Sequence, residues 1–194
     1  MTNLDQIVKL VRDHLIIDSL PLWAARGWDQ DCGGFVERLR DDGTPDLDAD
    51  RRVRVQARQI YTFAKAAQLG WFPDGRELAL KGLDYMLSKA RSAEGGFVHR
   101  LRSDGSVSDA TRDSYDHAFV LLALATVFAL TQDAQARNEI ALLLSFLDRE
   151  LRSPHGGVIE GLPASLPRRQ NPQMHNFEAM NAAYGATGEQ QFQN

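Results

Sequence analysis

His175 and Glu178, three residues apart, fall on one face of any helix that contains them. A carboxylate in that position orients the imidazole and favours its protonated form, which suits proton transfer or hydrogen bonding to a substrate oxygen. The same spacing also serves a plain ion pair on a helix surface. Asp113 and His117 form a second pair at i and i+4, in which Asp113 equally suits the positive end of a helix dipole. Tyr115 lies just ahead of an apolar run and offers either a hydroxyl for a ligand or a packing ring. Arg58 stands among Val55, Ala57 and Ile60. An arginine facing inward is costly unless it is paired or used. Its donors suit sugar hydroxyls, a carboxylate or an enediolate oxygen. Aligning the segments on Tyr61, Phe119 and Phe177 puts Gln59, His117 and His175 at equivalent places. That recurrence predicts one concavity shared by Arg58, His117 and His175. Arg51, Arg52 and Arg54 read as solvated, with one of them free to line the loop, Arg168 and Arg169 as a solvated pair or a contact for an anionic group, and Trp28, Phe35, Trp71 and Phe97 as aromatics for packing or sugar stacking.

These residues need elements to hold them, and a repeat supplies the elements. Residues 33–43 read GGFVERLRDDG, residues 95–105 read GGFVHRLRSDG, and a weaker copy, GGVIEG, begins at Gly156. A fixed period means one supersecondary unit used several times. Between copies the apolar residues recur at helical spacing. Helices are expected over residues 3–25, with Pro21 as a kink or a helix restart, then 53–68, 74–90, 111–130, 133–151 and 173–186, with the opening of a seventh over 188–194. The second, fourth and sixth follow the GG loops and carry the unusual polar residues. They therefore form an inner layer, with ordinary amphipathic helices outside. A short strand is expected in GGFVERL, before the Asp-Gly turn.

Composition narrows the classes. The 194 residues are 43% apolar and 25% charged, with a formal charge of −4, so a buried core is feasible and no basic block invites nucleic acid. Cys32 is the sole cysteine, which fits a reducing compartment and a cytoplasmic location. The charged first turns are unlike a signal peptide. The apolar run over 118–130 is too short to span a bilayer, so no membrane association is expected. No CxxC, HxH, HExxH, GxGxxG or P-loop pattern occurs, so neither a metal nor a nucleotide cofactor is expected.

The segments VQARQIYTFAKAAQLGW, YDHAFVLLALA and RRQNPQMHNFEAMNAAYGATG resemble the N-acylglucosamine 2-epimerase family over about residues 27–188. The resemblance implies an all-α (α/α)6 barrel, here its N-terminal half, and sugar epimerisation or isomerisation at C2 without a redox cofactor. It implies that Arg58, Tyr115, His117 and Asn171 contact a small-molecule sugar, and that His175 with Glu178 serves catalysis. It further implies that the two proton-transferring histidines belong to a second half. Two other readings compete: a glycoside hydrolase or lyase on the same toroid, which needs two carboxylates facing the pocket, and a helical-repeat scaffold. Which sugar is used, whether the product is an epimer or a ketose, and whether the protein is a homodimer stay open.

Overall fold

Residues 3–189 are described by a computed structural model. The expected helix opening over 188–194 lies outside them from residue 190 on, and Gly188 ends the preceding helix in the left-handed region (φ 71°). Helix α1 (Leu4–His14) starts on an Asn3–Gln6 capping box. It passes through a π-turn (Leu15–Ser19) into α2 (Leu20–Arg26). Pro21 is the reason for the π-turn. Lacking an N–H, it falls at the start of α2, and the wide turn before it carries the Leu20 N–H to the Leu15 carbonyl. Pro21 thus marks a helix restart, the second of the two expected outcomes.

The remaining helices are α3 (Val53–Gln68), α4 (Gly75–Lys89), α5 (Ser114–Thr131), α6 (Ala134–Phe146) and α7 (Gln170–Thr187), with a second π-turn, Leu147–Leu151, closing α6. Helices α3, α5 and α7 pack side by side in chain order, while α4 lies against α3 and α6 against α5. This is the two-layer arrangement of helical hairpins that the repeat requires. Helix α5 is apolar on every side because neighbours cover it on every side, and 78% of it is buried. Its Leu121 and Leu124 join Phe35, Ile60, Phe63, Met86, Phe97, Ile140 and Leu151 in the fully buried core.

The loops on the inner helices are knitted by minimal sheet. Strands β1 (Arg51–Arg52), β2 (Arg100–Leu101) and β3 (Val107–Asp109) form one antiparallel sheet. A second pairs β4 (Arg112–Asp113) with β5 (Gly161–Leu162). The GGF segments themselves make single bridges, Trp28 to Phe35, Arg91 to Phe97 and Arg152 to Val158, rather than the expected strand. Each bridge ties a loop to the end of the preceding outer helix. The result anchors every GG loop over the N-terminal end of an inner helix.

Candidate active site

The helix starts set the true register of the repeat. The fourth residues of α3, α5 and α7 are Gln56, His117 and Gln173, and each holds its GG loop in place. Gln56 accepts from the Phe35 N–H (2.8 Å) and donates to the Phe35 carbonyl (2.6 Å). Gln173 does the same to Val158, at 3.0 and 2.7 Å. His117 accepts the Phe97 N–H on Nε2 (2.9 Å) and donates Nδ1–H to the Asp113 carbonyl (2.7 Å). Its ring is fully buried and stacks on Phe146 of the outer layer. His117 therefore faces away from the inner surface. The expected equivalence with Gln59 and His175 is corrected, as is the expectation that His117 contacts substrate: both ring nitrogens are occupied by backbone. Asp113 is the N-cap of α5, its carboxylate accepting from the Tyr115 N–H.

The sixth residues are Arg58, Phe119 and His175, and the second residues are Arg54, Tyr115 and Asn171. These come together on the inner surface. The Arg58 guanidinium donates to the Tyr115 hydroxyl (2.8 Å) and lies 4.1 Å from the Phe119 ring centre. The His175 ring sits 5.2 Å from Tyr115 and 4.8 Å from Phe119. His175 Nδ1–H donates to Glu178 at 2.8 Å, since a carboxylate only accepts, which leaves Nε2 turned to other partners. Asn171 is exposed at the start of α7, in the place that Tyr115 and Arg54 hold on their helices. The arrangement thus offers a cation, a phenol and an oriented imidazole on one open face of three adjacent helices.

The family model for N-acylglucosamine 2-epimerase (GlcNAc 2-epimerase) matches residues 33–194. The chain belongs to that family. It is 39% identical over 173 residues to a mannose-6-phosphate isomerase of Rhizobium meliloti, covering 88% of this chain and 44% of the relative. It is 28% identical to a D-mannose isomerase of Marinomonas mediterranea, covering 80% of this chain and 40% of the relative. Among solved structures, a cellobiose 2-epimerase from Spirochaeta thermophila superposes with a TM-score of 0.87 at 23% identity, over 99% of this chain and 53% of the other. The chain spans about half the length of these relatives. Its fold is accordingly half of the (α/α)6 toroid of the N-acylglucosamine 2-epimerase family. A family 76 glycoside hydrolase from Bacteroides thetaiotaomicron shares the fold less closely, with a TM-score of 0.69 at 14% identity.

Several polar groups at the loop-to-helix junctions of this epimerase-family chain were not legible in advance. Arg51, expected in solvent or lining the loop, is fully buried against Asp29 and the Gly33 carbonyl. Arg52 is bound by Glu37, Arg54 by Asp116 and Arg169 by both Glu160 and Asp113. Asp116 is fully buried, and its second oxygen takes Nδ1 of His99 at 2.5 Å. Trp28, Phe35 and Phe97 are core residues rather than sugar platforms. The one clue in the sequence is the third residue after each pair of glycines, Glu37, His99 and Glu160, where the middle copy changes chemistry.

His99 and His117 pull stability in opposite directions with pH. The hydrogen bond and charge of Asp116 raise the pKa of His99 against the effect of its burial. Its stabilisation is full below the ordinary value of 6.5 and is lost as pH rises through the higher folded value. Burial lowers the pKa of His117, so stability is lost as pH falls from 6.5 toward its folded value. His117→Gln copies the outer repeats. It is expected to cost no more than about 1.5 kcal/mol at neutral pH, the scale of a lost ring contact, and to remove the acid-side loss between 6.5 and the lower folded value. Urea unfolding across pH checks both effects, and an unchanged acid limb in the variant would assign that limb to the carboxylates.

Proposed function

We propose that this chain supplies half of the sugar pocket of an isomerase or 2-epimerase that moves a proton at C2 of an open-chain aldose through an enediolate. The observation that carries the reading is the Arg58–Tyr115–His175 cluster on the inner face of α3, α5 and α7. Removing the C2 proton shifts its electron pair into a C1–C2 double bond and leaves negative charge on the former carbonyl oxygen. Arg58 is the group to stabilise that oxygen. Its guanidinium bonds a phenol rather than a carboxylate, so its charge is available to a ligand. His175, held by Glu178, directs Nε2 at a sugar oxygen and can assist ring opening by proton transfer. Tyr115 and Asn171 offer hydrogen bonds to hydroxyls. Return of the proton to the opposite face of C2 gives an epimer, and delivery to C1 gives a ketose. The proton-transferring groups are assigned to a second helical half. The names of the relatives make mannose, free or 6-phosphorylated, the first substrate to try. The free, exposed Cys32 fits the further proposal of a cytoplasmic enzyme.

A hydrolase reading finds little support in the carboxylates. Asp113 is held by Arg169 and by its own helix, and Asp116 is buried with both oxygens bound.

The isolated chain is expected to show little or no turnover, whereas a protein carrying both halves of the toroid is active. ¹H NMR in D₂O with mannose, mannose 6-phosphate, glucose, N-acetylmannosamine and cellobiose reads this directly, as deuterium at C1 or C2. Full activity of the isolated chain would place the proton-transfer groups within it. The chain alone should also self-associate, because α1 exposes Leu4, Val8, Leu10 and Val11 and α7 exposes Phe177 and Met174. Light scattering that shows a monodisperse monomer would refute that.

A further inference from the structure

The three loop-to-helix junctions are built alike in the outer copies and differently in the middle one. In the first copy Glu37 binds Arg52, the residue just before α3. In the third copy Glu160 binds Arg169, the residue just before α7. The middle copy has His99 in place of the glutamate and Asp113 in place of the arginine. Its carboxylate has moved inside the helix to Asp116, where the other copies have Val55 and Pro172. The outer copies show that the loop can be fastened without this change. A fully buried carboxylate costs several kcal/mol in desolvation unless well paired, and often adds nothing net to stability. The exception falls at the junction whose carboxylate reaches Arg54, beside the Tyr115 ring. Asp116 accepts from Arg54 Nη1 at 2.9 Å and engages His99 Nδ1 at 2.5 Å, while the Arg54 guanidinium lies 5.5 Å from the Tyr115 ring centre. His99 is clamped by its backbone as well, its carbonyl accepting the Val53 N–H at 3.0 Å.

We propose that Asp116 is a positioning residue of the pocket: it holds and neutralises Arg54 beside the Tyr115 ring, with His99 as its second anchor, so that Arg58 alone of the two arginines presents its charge to the substrate oxyanion. The substrate clause rests on the sugar-isomerase reading; the placement of Arg54 and Tyr115 does not. The charged groups around His99 are Asp116 on α5, Arg54 on α3, Asp109 on β3 and Arg100 next to it on β2. Losing the Asp116 charge would leave two guanidinium groups competing at Tyr115, and His99 without its counterion.

Asp116→Asn keeps the shape and removes the charge. In the 194-residue chain, NMR should show the His99 midpoint falling, because the hydrogen bond and charge of Asp116 that hold it up are gone, with shifts of the Arg54 Nε and Tyr115 ring signals. In a protein with both toroid halves, kcat should fall roughly 10-fold with KM little changed, as for loss of an oriented group rather than of binding. The pH profile should move with the His99 midpoint. His99→Gln still offers a donor to Asp116 but no longer titrates, so the pH dependence contributed by His99 should disappear from kcat while the Arg54 and Tyr115 signals stay in place, which provides a second readout if Asp116→Asn folds poorly. Unmoved Arg54 and Tyr115 signals in Asp116→Asn, or an unchanged kcat and pH profile, would overturn the proposal. Absence of deuterium exchange by the unaltered enzyme would overturn the sugar reading and the substrate clause with it, while the NMR signals would still decide the placement of Arg54.

Discussion

Arg58→Ala is expected to lower kcat/KM for sugar isomerisation by about 10²-fold or more in a protein that carries both halves of the toroid, the scale of losing a charged donor at a preorganised oxyanion site. The side chain is exposed on the inner surface and its fixed contacts are the Tyr115 hydroxyl and the Phe119 ring. Little folding free energy rides on it, so the loss should come with a nearly unchanged unfolding midpoint. Arg58→Lys should recover only part of the activity, because an ammonium cannot reproduce the planar fork of donors. If charge at a developing oxyanion is the role, kcat falls more than KM rises. Unchanged kinetics in Arg58→Ala would reduce the residue to a packing arginine and remove the main support for the functional reading.

The largest expected effect on stability is at Gly96. Its φ is +70°, and a Cβ there would lie 2.6 Å from His117 Nε2 and 2.6 Å from carbons of the Phe146 ring. Alanine would meet left-handed strain of about 1–2 kcal/mol, and it would drive apart His117 and the Phe97 N–H, costing roughly 1–3 kcal/mol more for a buried bond. Gly96→Ala should therefore lose roughly 3 kcal/mol or more in urea unfolding. Gly70→Ala is the control, since Gly70 has a similar φ (68°) and nothing within 4 Å of the added carbon. Equal losses in the two variants would show that the His117 contact contributes nothing beyond backbone strain.

The Gly96 contact also explains which parts of the molecule were legible beforehand. The repeated GG pairs report a real need for open backbone above an inner helix, so the period, the hairpins and the two layers could be read from them. Helix α3 matches its expected bounds, Val53 to Gln68, because the apolar stripe is regular and a left-handed Gly70 follows its end. The register of the site was another matter. The group that fastens the loop is an amide in two copies and an imidazole in the third, chemically equivalent but spelled differently. His175, one helical face away, shares a letter with His117 and invited the false match. The third loop is also shorter between its glycines and the helix start, which breaks the constant interval. Arg58, Tyr115 and His175 were singled out from their residue types, and these three side chains lie together on one face. Arg51 lines the loop at the Gly33 carbonyl, as one of the three was expected to, but the carboxylate partners Asp29, Glu37 and Asp116 of Arg51, Arg52 and Arg54 are distant in sequence, and composition alone cannot tell a solvated arginine from one bound by a remote carboxylate.

The Asp-Gly tip of the middle loop lies beyond both of its fixed points. On one side Phe97 is fastened to His117, and on the other β3 returns toward the start of α5. Between them the turn at Asp104 and Gly105 is closed by local bonds, from the Gly105 N–H to the Arg102 carbonyl and from the Ser106 N–H to the Asp104 carboxylate. Extra chain inserted there is anchored at its base by β2 and β3, and a doubling of loop length adds only about 0.6 kcal/mol of closure entropy. The tip can thus change length while the Arg58–Tyr115 contact keeps its geometry. Gly105 itself is buried beside Lys89 and Tyr85 of α4, so an added segment or reporter would leave over the outer layer, on the side away from the Arg58–Tyr115 floor.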